Sequence, residues 1–202
     1  MKAVILISGN GSNLQSIIDN ADKIDLQISC VISNNKNAFG LKRAESSKIQ
    51  TYIIEPELFN SKEAFDRELI SIIDHHEVEL IVLAGYMRIL TPLFVSHYFG
   101  KILNIHPSLL PKFPGLNTHQ RAIDASETAH GVSVHFVTEE LDGGPIINQE
   151  SVIIDNLDTE ETLSMKVLKK EHVIYPKVIH WYTQRRLKLI DNFTATLDGK
   201  MI

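Results

Sequence analysis

Five short apolar runs, residues 3–7, 28–32, 51–54, 80–84 and 102–105, recur along the first half of the chain, with helix-like stretches between most of them. Runs of four or five apolar residues have the length of buried strands, and strands of a parallel sheet covered on both faces read as continuous apolar segments. The alternation predicts βαβ units. The clearest helix spans 61–76, where Phe65, Leu69, Ile72, Ile73 and His76 recur at spacings of three and four and Ser61 stands in the N-cap position. From Val132 the period changes. Val132, Val134 and Phe136 alternate with Ser133, His135 and Val137, the turn-forming Asp142-Gly143-Gly144-Pro145 follows, and 146–154 is apolar again. This predicts an antiparallel element added to the parallel sheet. A long last helix is expected to start at Asp158, where Glu161 completes a capping-box pattern, and to be kinked or divided by Pro176. The tail beyond 188 is mixed and polar and predicts no element.

Composition narrows the class. With 202 residues and 44% hydrophobic content the chain can bury a sizeable core, and one domain over 1–202 is expected. The formal net charge is −5 and no Lys/Arg block exceeds two residues, so no basic stripe offers itself to nucleic acid. The N-terminal apolar run of five residues is too short for a signal segment or a membrane span, which leads to the expectation of a cytoplasmic protein without a membrane partner. The single cysteine, Cys30, lies inside an apolar run and reads as a small core residue. The nine histidines show no ligand spacing, and neither CxxC nor HExxH occurs, so no metal is expected.

Chemistry concentrates after the strands. Asn104 and His106 are two apart on a predicted strand and therefore share a face, and the loop Pro107-Ser108-Leu109-Leu110-Pro111 follows at once. An amide N–H can stabilise a developing oxyanion, and an imidazole can donate or accept a proton near neutral pH; the plainer alternative is a turn-starting Asn and a hydrogen-bonded His. Ser8-Gly9-Asn10-Gly11-Ser12-Asn13 links the first strand to a helix-like stretch and is a candidate phosphate cradle, or an ordinary turn capped by Ser12 or Asn13. It is not a dinucleotide fingerprint, since Leu14 holds the third glycine position and the second strand ends in Ser33-Asn34-Asn35 without an acidic residue. Tyr86, Met87, Arg88, Ile89 and Leu90 leave the fourth strand and either wall a slot for a flat heteroaromatic ring or fill the core. Asp142 belongs to turn chemistry or pairs with His106 and fixes which nitrogen carries its proton. Glu171 and His172 lie on the last helix.

Together, Gly9-Asn10-Gly11-Ser12-Asn13-Leu14, Gly85-Tyr86-Met87-Arg88, Asn104-Ile105-His106-Pro107-Ser108-Leu109-Leu110-Pro111, His130-Gly131 and Leu141-Asp142-Gly143-Gly144 resemble the phosphoribosylglycinamide formyltransferase family of the formyltransferase superfamily. Asn104, His106 and Asp142 alone also suit methionyl-tRNA formyltransferase, which adds a C-terminal domain, and formyltetrahydrofolate hydrolase, which adds an N-terminal regulatory one. The resemblance implies a Rossmann-like α/β fold, a mostly parallel twisted sheet with an antiparallel strand added in the C-terminal half and helices on both faces. It implies formyl transfer from 10-formyltetrahydrofolate, as cosubstrate, to the amine of glycinamide ribonucleotide in de novo purine biosynthesis, with catalysis by Asn104, His106 and Asp142. By the same resemblance Gly11, Ser12 and Asn13 hold the ribonucleotide phosphate and Glu171 its ribose or glycinamide portion. The folate would lie against Met87, Arg88, Ile89 and Leu90, with Asn104 beside it and Thr138, Glu139, Glu140, Leu141 and Asp142 closing the slot; Lys62 stands where many members carry Arg, a point charge in place of a bidentate fork. Leu110-Pro111 is expected to be cis. The expected partners are these two small molecules, for a monomer or weak dimer; a noncatalytic nucleotide-binding module is the alternative of a different class.

Overall fold

The computed structural model describes all of residues 1–202, and the chain divides into two compact units, Met1–Asn104 and Ile105–Ile202. In the first unit every predicted apolar run is a strand: β1 (Lys2–Ile7), β2 (Gln27–Ser33), β3 (Gln50–Ile53), β4 (Leu80–Leu83) and the start of β5 (Ile102–His106). They pair in parallel in the order β3-β2-β1-β4-β5. The continuous apolar reading is explained by β1 and β4, whose Ala3 to Ile7 and Leu80 to Leu83 are all buried.

Four helices connect these strands: α1 (Ser12–Asn20), α2 (Phe39–Ser46), α3 (Lys62–His75) and α4 (Pro92–His97). The first packs against the second and the third against the fourth. On α3 the predicted stripe turns Phe65, Leu69 and Ile73 inward, and the Ser61 side chain accepts the N–H of Ala64 as an N-cap. Cys30 is buried in β2, and burial pushes its thiol up to about 12, which keeps it an inert core group.

The second unit begins in β5 and carries α5 (Thr118–Asp124), β6 (Ala129–Phe136), β7 (Ile146–Ile153) and α6 (Glu160–Thr183). As expected from the period-two stretch, β6 and β7 are antiparallel, and α6 packs across both. The cap of α6 lies one residue later than expected, at Thr159. Asp158 accepts from the Asp155 N–H, the Thr162 hydroxyl and Lys166, and the capping box is made instead by Thr159 and Thr162. Nor does Pro176 divide the helix, which runs unbroken to Thr183. An interior proline costs about 3 kcal/mol, and here it lies on the buried face with Ile174, Tyr175, Val178 and Ile179, whose packing holds the helix together across it. The tail, for which the sequence predicted no element, forms a small antiparallel sheet of β8 (Leu187–Leu189), β9 (Ala195–Leu197) and β10 (Lys200–Met201). No helix is long and apolar enough to cross a membrane.

Candidate active site

In the first unit, the segment after β1 forms an open turn rather than a capped one. Gly11 takes the N-cap position of α1 in the left-handed region, at φ 75°, and no side chain caps the helix. The capped alternative is therefore not what forms, and a helix start without a side-chain cap is an arrangement that favours an anion. Gly11 is required for packing as well: a Cβ there would lie 2.6 Å from the Gly40 Cα. The turn is clamped from α2, where Arg43 donates through Nε to the Asn10 carbonyl at 2.9 Å and through Nη2 to Asn10 Oδ1 at 3.0 Å while its guanidinium lies over the Phe39 ring. Arg43 and Gly40 carried no local signal; they reach the turn from thirty residues away in sequence.

The stretch after β4 is not uniformly core: Tyr86 is largely covered, while Met87 and Ile89 are not. Met87 is 70% and Ile89 58% exposed, although both are large apolar side chains, which is what a slot wall for a flat apolar ligand requires. Arg88 places its guanidinium over the Phe65 ring at 4.2 Å. Beneath them the fully buried Asp66 accepts from the Thr91 N–H at 2.8 Å and hydroxyl at 2.6 Å, fixing the far end of the stretch. The Tyr86 phenol is pushed up by burial and by the neighbouring Asp66 carboxylate. The near end is held by Ser8, whose hydroxyl accepts the Met87 N–H at 2.7 Å and donates to Asn34 Oδ1 at 2.6 Å. Lys62 is an exposed first residue of α3.

In the second unit, β5 ends at His106, which is 6% exposed, with Asn104 two residues before it on the same strand. Its Nδ1 lies 3.4 Å from Asp142 Oδ2 and its Nε2 2.9 Å from the Phe113 carbonyl. A carbonyl only accepts, so Nε2 carries a proton, and Nδ1 is the nitrogen that faces the Asp142 carboxylate. The pairing of Asp142 with His106 was the expectation, and the turn reading holds beside it: Asp142 sits at φ 52°, and a Cβ on Gly144 would stand 1.9 Å from the Phe136 carbonyl, so only glycine fits. Asp142 Oδ2 also accepts the Gly115 N–H at 2.9 Å, which ties the 109–121 loop to the pair. Leu110-Pro111 is cis, as expected. Ser133 on β6 holds the start of that loop, donating to the Ser108 carbonyl and accepting from the Leu110 N–H.

Three further histidines surround the pair; of these only His130 stood in a motif singled out from sequence, and none was assigned a role there. His135 is buried with Nδ1 donating to the Phe136 carbonyl at 2.8 Å and Nε2 3.8 Å from Asp142 Oδ1, and burial lowers its pKa. His119 and His130 contact one another at 3.2 Å; burial lowers both, His130 to about 4. His135, His119 and His130 are thus held neutral, while His106 faces the carboxylate most closely. Of the lid residues, Thr138 is buried, whereas Glu139, Glu140 and Leu141 are exposed. Glu171 on α6 is only 8% exposed, so it does not belong to a solvated helix face.

A family model described as formyl transferase matches residues 1–179. The phosphoribosylglycinamide formyltransferase of Escherichia coli K12 is 52% identical over 204 residues, covering 100% of this chain and 96% of that protein. Among solved structures, the phosphoribosylglycinamide formyltransferase of Coxiella burnetii in complex with CHES superposes with a TM-score of 0.96 at 52% identity, covering 100% of this chain and 95% of that one. Glycinamide ribonucleotide transformylase 1 of Symbiobacterium toebii gives 0.93 at 37% identity, covering 98% and 93%. The chain belongs to the formyl transferase family.

Proposed function

We propose that this chain, acting as one catalytic domain in the cytoplasm and as a monomer or weak dimer, transfers the formyl group of 10-formyltetrahydrofolate to the amine of glycinamide ribonucleotide, giving formylglycinamide ribonucleotide and tetrahydrofolate. The observation that carries this reading is the buried His106–Asp142 pair at the end of the strand that also bears Asn104, in a chain whose relatives bear that enzyme's name over their full length.

The glycinamide nitrogen attacks the formyl carbon, and the carbonyl π electrons move onto oxygen as a tetrahedral intermediate forms. The Asn104 amide and the His106 Nε2–H donate to that oxyanion, the formyl oxygen replacing the Phe113 carbonyl as the acceptor of the Nε2–H. Asp142 stabilises the positive imidazole through Nδ1 and orders the water that carries the proton from the attacking nitrogen to N10 of the folate. The C–N10 bond then breaks and the oxyanion collapses to the new amide. Ser12, Asn13 and Gly11 bind the ribonucleotide phosphate through helix-start N–H groups, Glu171 meets its ribose or glycinamide portion, and Met87, Arg88, Ile89 and Leu90 wall the pteridine. Thr138, Glu139, Glu140, Leu141 and Asp142 close over it, and Lys62 meets the charged tail of the folate.

The test is a steady-state assay of purified protein with both compounds, with product identified by mass. Formylated ribonucleotide formed in step with tetrahydrofolate supports the reading. Formate released without ribonucleotide consumption would mark a hydrolase instead, and binding of the ribonucleotide without any folate affinity would mark a noncatalytic nucleotide module.

A further inference from the structure

Ser8 links two segments that bind different molecules in the proposed reaction. It is the residue between β1 and the phosphate turn that starts at Gly9. Its N–H donates to the Gly85 carbonyl at 3.1 Å and its hydroxyl accepts the Met87 N–H at 2.7 Å, so it grips the slot segment at two points on either side of Tyr86. Its hydroxyl proton goes to Asn34 Oδ1 at 2.6 Å, and its carbonyl accepts from Asn35 Nδ2 at 3.2 Å. Asn35 is itself fixed by Ser33, which exchanges two hydrogen bonds with its backbone. One residue further on, Gly9 gives its carbonyl to the Gly40 N–H at 3.1 Å, and Asn10 is held by Arg43. The path from Met87 through Ser8 to Gly9 is therefore a run of short hydrogen bonds and covalent links with no flexible side chain in it.

We propose that Ser8, oriented by Asn34, is a positioning residue that sets the folate slot and the phosphate turn together. A hydroxyl suits the place because one oxygen both accepts from the Met87 N–H and donates to the Asn34 carbonyl oxygen, whereas a methyl group does neither and a thiol does both only weakly. The Asn34-Asn35 pair that follows β2 stands where a dinucleotide-binding chain would carry its ribose-binding acid, and here it braces Ser8 instead. This assignment rests on the proposed formyl transfer for the identity of the two ligands.

The experiment measures calorimetric dissociation constants for glycinamide ribonucleotide alone and tetrahydrofolate alone, which do not react with one another. Ser8→Ala is expected to weaken both by about 2–10-fold, the range of one or two lost hydrogen bonds, and Ser8→Thr to restore both. Asn34→Ala removes only the brace and is expected to weaken both by a smaller factor. Ser8→Ala combined with Asn34→Ala should be no weaker than Ser8→Ala, because the brace acts through the hydroxyl. A purely structural serine would change the melting temperature while leaving both affinities of the folded protein at their wild-type values, and that result overturns the assignment; so does a change confined to one ligand. Wild-type protein that binds neither compound or transfers no formyl group overturns the proposed function itself, which is a separate outcome.

Discussion

Asp142→Asn is the substitution that separates charge from architecture at the proposed catalytic pair. The carboxylate and the His106 ring are both nearly enclosed, with side-chain exposures of 8% and 7%, at a separation of 3.4 Å. For unit charges at that distance an effective dielectric near 20 gives about 5 kcal/mol, and breaking a buried pair by neutralising one partner costs about 3–5 kcal/mol. Asparagine keeps the shape and retains an oxygen that accepts the Gly115 N–H, now 2.9 Å from the carboxylate. The loop anchor survives, then, and only the support for a positive imidazole is lost. If that positive charge develops on the way to the tetrahedral intermediate, the penalty falls on kcat, by about 10²–10³-fold, while KM for either substrate changes by less than about threefold. Asp142→Ala removes the Gly115 acceptor too and should add a loss of thermal stability that Asp142→Asn lacks. The assay is steady-state release of tetrahydrofolate at saturating substrates, with melting curves of each variant. An Asp142→Asn protein that melts like wild type and turns over within about fivefold of it refutes the role given to the carboxylate.

Gly9→Ala tests the phosphate turn more cleanly than any change at Gly11. A Cβ on Gly9 meets no atom within 4 Å, whereas one on Gly11 runs into the Gly40 backbone at a left-handed φ; Gly9→Ala should therefore leave the melting temperature unchanged and raise the ribonucleotide KM by about tenfold with the folate KM unmoved, and equal changes in both would reject backbone contact with the phosphate. Acid sensitivity should trace to His130. Its folded pKa is lowered to about 4, first by burial and then by His119, while in the unfolded chain it titrates near 6.5, so the unfolded state binds the extra proton between those values and stability falls as pH drops through that window. His130→Gln should shrink that loss in urea-unfolding free energy between pH 7 and 4.5, and parallel pH profiles for the two proteins would disprove the attribution.

The parallel half of the fold was legible because burial on both faces forces an unbroken apolar run, and 3–7 and 80–84 each gave one. The tail gave no reading for the opposite reason. Its strands are two or three residues long and only partly buried, so they carry almost no hydrophobic period. The signal present there was turn chemistry: Asp198 at φ 54° and Gly199 at φ 77° make the Asp-Gly hairpin between β9 and β10. Pro176 shows the limit of local rules within helices, since its cost is set by the residue itself and its compensation by packing that only the folded chain contains.

The candidate site divides along the same line. Residues whose chemistry depends on strand parity or a glycine turn could be found from spacing alone: Asn104 with His106, Gly11 before α1, Asp142 in its turn. Those whose task is to hold these groups came from distant sequence and had no spacing to betray them. Arg43, Asn34 and Ser133 each spend their hydrogen bonds on the backbone or side chain of another site segment, and such a contact leaves no mark in the pattern of either partner. His135 is the sharper case. On β6 it reads as one polar position of an alternating strand, which predicts solvent, yet it is buried beside the Asp142 carboxylate. Alternation fixes which residues share a face, and in β6 the residues on both faces, Val132 to Phe136, are buried. A polar side chain on such a strand must therefore find partners inside the protein, and Ser133 and His135 find theirs in the backbone and side chains around the His106–Asp142 pair.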